Sequence, residues 1–114
     1  FAARVRKTIG RGEAPVRFAG DPKRKVKKIS WCSGGGKSLI RQLNASTTDV
    51  YVTGDTGHHD ALNCLEKGIC LVDVDHFYTE RFFISNMALY LREVFNDTKL
   101  RVLEDEPQPV YRGV

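Results

Sequence analysis

Apolar and polar positions along the chain switch between helical and strand-like periods, and the switches mark the elements. Phe1 to Ile9 carries apolar residues at helical spacing and stops at Gly10, which predicts a short amphipathic helix. Pro15 to Phe18 is a candidate short strand, followed by the turn signal Gly20-Asp21-Pro22. Val26 to Cys32 reads as a strand, Ser33 to Gly36 as a glycine loop and Lys37 to Leu43 as a helix. Asp49 to Thr53 has the β-branched and aromatic content of a strand. Gly54 to Gly57 is then a loop, and His58 to Lys67 a helix closed by Gly68. The apolar run Ile69 to Val74 predicts a third buried strand, and a long helical pattern follows to about Phe95. Leu100 to Leu103 is a candidate last strand, and residues 104–114, with two prolines and three acids, read as a tail or edge segment. Strands and helices alternating at this spacing imply right-handed crossovers. The expected class is α/β, a largely parallel sheet with helices on both faces.

The richest chemistry sits where the third strand gives way to the long helix, in Asp75-His76-Phe77-Tyr78-Thr79-Glu80. His76 and Glu80 are four residues apart and share a helix face. Continuing that face gives Phe83 or Ile84, then Met87 and Leu91, so both polar side chains are expected to begin the stripe that faces the interior. An inward His and Glu at the end of a strand suit a metal ion or a proton transfer. His-x-x-x-Glu is a loose pattern, however, and a satisfied histidine followed by a first-turn glutamate favoured by the helix macrodipole would give the same letters. Placement adds weight to a site. In parallel sheets, ligands bind outside the carboxyl ends of the strands. Asp55, His58, His59, Asp60, Asp75, His76 and Glu80 all fall near that rim, and these include all three histidines.

Composition narrows the setting. The chain has 114 residues, 41% hydrophobic and 28% charged, ordinary for one globular domain. No apolar run approaches the roughly 20 residues of a bilayer-spanning helix, and the start shows no signal-peptide pattern. Residue 1 is Phe and the only Met is Met87, so the expectation is a fragment or a processed C-terminal part. Cys32, Cys64 and Cys70 form no CxxC pair and lie in apolar runs, where a thiol behaves as a small hydrophobe. A reducing, intracellular and cytoplasmic setting is expected, with organellar or nuclear location left open.

The net charge of +4 is unevenly spread: residues 1–28 carry a net +8, densest in Lys23-Arg24-Lys25-Val26-Lys27-Lys28. No aromatic side chains interleave this run, so the favoured reading is a solvated turn leading into an edge strand rather than a nucleic-acid surface. Gly36-Lys37-Ser38 resembles the end of a P-loop, but Trp31 occupies the position that would need glycine. Two readings of Gly34, Gly35 and Gly36 remain: backbone that approaches an anion or substrate, or a tight strand-to-helix turn.

With these residues in place, Val26 to Glu80 resembles the C-terminal half of the NIF-three-like family, dinuclear-metal-centre proteins also labelled type 2 GTP cyclohydrolase homologues. The similarity runs through Trp31-Cys32-Ser33-Gly34-Gly35-Gly36, then Asp49-Val50-Tyr51-Val52-Thr53-Gly54-Asp55 with His59 and Asp60. It ends in Asp75 to Glu80, which is similar to the family's Gly-His-Tyr-x-x-Glu. Phe1 to Gly20 resembles the segment that precedes this half. The resemblance implies one half of a two-lobed fold that assembles into a toroidal hexamer, with two metal ions, zinc or iron, between the halves. His76 and Glu80 would be metal ligands, Glu80 a candidate bridge, and Asp55 and His59 second-sphere or substrate-facing groups. A missing N-terminal half would supply the remaining ligands, so this chain by itself is expected to bind metal weakly or not at all. Asp75 stands where the family usually has Gly, Phe77 where it has Tyr, and Gly35 where Ser is common.

The expected function is metal-dependent hydrolysis of an unidentified nucleotide or phosphoester. The alternative is a non-catalytic scaffold or transcription-related interaction protein whose metal site is structural or incomplete. Nucleic acid is the less favoured partner, and no membrane partner is expected.

Overall fold

The computed structural model describes residues 1–96, 99–105 and 108–110. Four strands form one sheet in the order β1-β4-β3-β2, where β1 is Arg17–Ala19, β2 Ile29–Gly35, β3 Val50–Gly54 and β4 Cys70–Asp73. Strands β2, β3 and β4 run parallel, while β1 pairs antiparallel with β4, with Arg17 opposite Asp73. The parallel core is as expected, with a short antiparallel edge strand added to it.

Every residue of β3 and β4 is buried, as in a sheet covered on both faces. Their alternation splits the core. Val50, Val52, Cys70, Val72 and Val74 face helix α1 (Ala2–Thr8) and Tyr78 of helix α3 (His76–Glu80), with Val5 and Ala14 completing that cluster. Tyr51 and Leu71 point the other way, onto Ile40 of a 3-10 helix (Lys37–Gln42) and Cys64 of helix α2 (His58–Glu66). Burial pushes the Cys64 thiol up to about 11, consistent with a thiol that acts as core. Helix α4 (Phe82–Val94) completes the described elements. No helix among the described residues is long and apolar enough to cross a membrane.

Four expectations need correction. Residues 26–28 are not strand: the amides of Lys27 and Lys28 donate to the Asp49 carboxylate, so the basic segment is extended loop leading into the edge strand β2. Strand β2 instead runs through Ser33, Gly34 and Gly35, with a register shift between Trp31 and Gly35. The single long helix is two, α3 and α4, separated at Arg81. Leu100 to Leu103 form no strand; Val102 accepts a hydrogen bond from Arg92, and Glu104 pairs with the same guanidinium at 2.6 Å. Of the 104–114 segment, residues 106, 107 and 111–114 lie outside the described residues, and the rest has no regular structure.

Candidate metal centre

The site is assembled from the carboxyl ends of β3 and β4. Asp73, the last residue of β4, has a side chain only 3% exposed. It accepts from the Thr56 amide at 2.8 Å, the Thr56 hydroxyl at 2.5 Å, the Arg17 guanidinium at 2.6 Å and the Asp75 amide at 2.9 Å. One carboxylate therefore ties β1, the loop after β3 and the turn into α3 together. Burial pushes this carboxyl up, but the hydrogen bonds from Thr56 and Asp75 and the Arg17 charge outweigh it, and the net shift is downward.

The turn that follows is strained. Asp75 has φ +69° and ψ 149°, backbone that glycine adopts far more readily. The glycine that the resemblance puts at this position would adopt it without strain. Asp75 offsets part of the strain as N-cap of α3, accepting from the Phe77 amide at 2.9 Å. Gly54 lies directly against the start of α3: a Cβ there would come 2.6 Å from the His76 amide nitrogen and 2.7 Å from the Asp75 carbonyl carbon. That approach places Asp55, itself at φ +57°, beside the His76 ring.

His76 is held at both nitrogens. Nδ1 lies 2.6 Å from the Asp55 carboxylate and Nε2 lies 3.1 Å from a Glu80 oxygen. The hydrogen bond to Asp55, helped by the charges of Glu80 and Asp55, raises the imidazole pKa above its ordinary value. His76 and Glu80 do not face the interior as the helical stripe predicted, and Asp55 is exposed with them. They are 43%, 55% and 53% exposed for His76, Asp55 and Glu80, and Tyr78 and Thr79 take the buried face instead. Phe83 likewise points outward. The break at Arg81 removes the rationale for a first-turn glutamate. Glu80 is the last residue of the five-residue α3, the end at which the macrodipole disfavours an acid.

The glycine segment forms the facing wall. Gly34, at φ +66°, has no room for a Cβ, which would overlap the Glu80 carboxylate and sit 3.0 Å from His76 Nε2. Gly35 is next to Asp55 and His76 Nδ1 with ordinary spacing. The backbone here is already satisfied. The Gly34 amide donates to the Thr79 hydroxyl at 2.8 Å and the Gly36 amide to Thr53 at 2.9 Å. Thr53 in turn donates to the Gly34 carbonyl, and the Tyr51 hydroxyl, pushed up to about 12 by burial, donates to Gly36. The Gly34 and Gly36 amides are thus committed to threonine hydroxyls, and Gly34 and Gly35 belong to strand β2 rather than to a turn.

The remaining rim residues separate from this cluster. His58 and His59 stack edge-on with ring centroids 5.7 Å apart, and neither bonds to His76 or Glu80. His58 lines a cleft with Arg17, Phe18 and Asp73, whereas Glu80 lines a cleft of about 460 Å3 with Ser33, Phe77, Arg81, Phe83 and Ile84. Asp60 accepts from the Gly57 amide at the start of α2. Among the described residues no three His, Cys, Asp or Glu side chains form a group able to hold one metal ion. Asp55 engages the nitrogen that Glu80 does not, so the donor set toward an ion is two, His76 Nε2 and Glu80.

That pair fits a divalent metal. An imidazole nitrogen and a carboxylate are common zinc donors, and here the two meet directly at 3.1 Å. A carboxylate on the other imidazole nitrogen is the usual support of a metal-bound histidine. The residues missed by sequence reasoning are the supports, Thr53, Asp73 and Thr79. An acid inside the apolar run Ile69 to Val74 was the one available signal for Asp73.

The family model described as Duf34/NIF3 (NGG1p interacting factor 3) matches residues 1–109. A Staphylococcus aureus protein named GTP cyclohydrolase 1 type 2 homolog is 33% identical over 102 residues, covering 90% of this chain and 27% of the relative. A Pseudomonas aeruginosa protein of the same name is 34% identical, covering 83% of this chain and 36% of the relative. The chain thus spans about a quarter to a third of the length of these relatives. Among solved structures, a Bacillus cereus protein related to NIF3 superposes with TM-score 0.86 at 27% identity, covering 99% of this chain and 31% of that one. A match across nearly every residue, shared by sequence and by fold, places this chain in the Duf34/NIF3 family.

Proposed function

We propose that this chain is the metal-binding C-terminal part of a di-metal hydrolase acting on a nucleotide or other phosphoester. The observation that supports the reading best is the His76–Glu80 pair, two donors 3.1 Å apart with Asp55 locking the ring from behind. His76 Nε2 and the Glu80 carboxylate would hold a divalent ion, His76 as a directional neutral donor and Glu80 as the balancing charge. Two ligands are too few for a stable site, since zinc takes three or four from protein. An N-terminal half therefore contributes the others, and the 114-residue chain by itself binds zinc or iron weakly. Bound divalent ions would lower the pKa of a water and neutralise charge on the attacked group. Asp55 fixes the His76 tautomer, and His59, exposed on α2 outside the His76 cluster, would meet substrate only as a more distant group.

A second reading is favoured by α4, whose Phe82, Phe83, Leu89, Tyr90 and Val94 are exposed. Such a face suits burial against other subunits, as in a toroidal hexamer, and a scaffold role with a structural metal would use it equally. Elemental analysis of the protein joined to its N-terminal half, followed by turnover assays on phosphoesters and nucleotides, separates the two. Bound metal with turnover supports the hydrolase; bound metal without turnover of either class supports the scaffold.

A further inference from the structure

We infer that Thr79 is a positioning residue for the His76–Glu80 pair, an assignment that rests on the metal-binding reading above. Its hydroxyl is buried and used twice, accepting from the Gly34 amide at 2.8 Å and donating to the His76 carbonyl at 2.8 Å. Its own carbonyl accepts from the Ser33 hydroxyl at 3.2 Å. The one residue thus fastens the irregular end of β2 to the single turn of helix that carries both metal donors.

Two features make this latch matter. Helix α3 has five residues, far below the length at which a helix holds itself together, so its orientation is set by tertiary contacts. The strand segment that it is fastened to forms the wall of the donor pair, since any Cβ at Gly34 would meet Glu80 and His76. Releasing the latch frees Gly34 to withdraw and the Glu80 carboxylate to swing from Nε2. Thr79 lies beside the two donors on the turn but is buried, and its hydroxyl is spent on the Gly34 amide and the His76 carbonyl, so it acts through them rather than on a metal or a substrate.

The test compares Thr79→Val, which keeps the shape and removes the hydroxyl, with Thr79→Ser, which restores it. Val5→Ala, a core truncation in α1, controls for general destabilisation. Zn2+ is titrated into the 114-residue chain and followed by NMR at the His76 ring. Thr79→Val is expected to weaken zinc binding about tenfold or more, the usual scale for losing an outer-sphere support, while Thr79→Ser and Val5→Ala stay near wild type. Wild-type affinity in Thr79→Val, or an equal loss in Val5→Ala, overturns the assignment. A metal-free measurement keeps the latch separate from the metal reading. The nuclear Overhauser contact between Gly34 Hα and the His76 ring is expected to vanish in Thr79→Val and persist in Thr79→Ser. If wild type shows no saturable zinc response, as two ligands alone would allow, this contact alone decides: its persistence in Thr79→Val contradicts the latch. Should Thr79→Val not fold, Thr79→Ala carries the same comparison.

Discussion

Asp55 and His76 join the end of β3 to the start of α3 through one 2.6 Å contact between Oδ2 and Nδ1. It forms because Gly54 brings the two backbones together and because Asp55 adopts a left-handed conformation. The consequence is an imidazole whose other nitrogen alone is left for Glu80.

Replacing Asp55 by Ala is expected to lower the His76 pKa from its raised value toward the ordinary figure of about 6.5. The sign for stability follows. A raised folded pKa stabilises fully below the unfolded value and loses that contribution as pH rises through the folded pKa. Asp55→Ala should therefore cost more stability in mild acid than in alkali. NMR titration of the His76 ring together with urea unfolding across that range checks both. An unmoved His76 titration would contradict the orienting role of Asp55.

At Asp75 two effects compete. Backbone strain at a non-glycine residue in this region costs about 1–3 kcal/mol. Exchanging an N-cap Asp for Gly costs only a few tenths of a kcal/mol, against about 1 kcal/mol for Ala. Asp75→Gly is accordingly expected to be neutral or stabilising, and Asp75→Ala destabilising by about 1 kcal/mol. Chemical denaturation of the two variants tests the ordering; a glycine variant weaker than the alanine variant would refute it.

Asp73 carries a lowered pKa, so its contribution is present above the unfolded carboxylate value of about 3.9 and is lost as pH falls through the folded value. Asp73→Asn keeps the volume but leaves Thr56, Asp75 and Arg17 facing an amide, with a cost of about 2 kcal/mol at neutral pH. The cost should shrink in strong acid, where the wild-type carboxylate is itself protonated. Thermal unfolding at neutral and acid pH measures it, and a cost that does not depend on pH would speak against the charge.

Much of this was legible in the sequence. The buried strands Val50–Gly54 and Cys70–Asp73 announce themselves because two-sided burial demands continuous apolar runs. His76 and Glu80 were legible as a pair because four-residue spacing survives even in a five-residue helix. Their direction was not. The face they occupy depends on Thr79 and Tyr78 being drawn inward by Gly34 and the core. The glycine segment was misread for a related reason. Ser33 to Gly35 lacks β propensity, and pairing with Gly54 across a register shift holds it in the sheet all the same. His58 and His59 gathered at the rim in sequence order, but α2 and α3 start on different strands and line different clefts.

The most direct test of the metal centre is Glu80→Gln in the protein that includes its N-terminal half, read by metal stoichiometry. The substitution keeps size and helix propensity, and Glu80 is half-exposed at the end of α3, so the fold should persist with little change in Tm. An amide bridges two cations poorly and no longer offsets their charge. The account predicts loss of at least one of two metals and of any hydrolytic activity; a variant that keeps both metals and full turnover would contradict it.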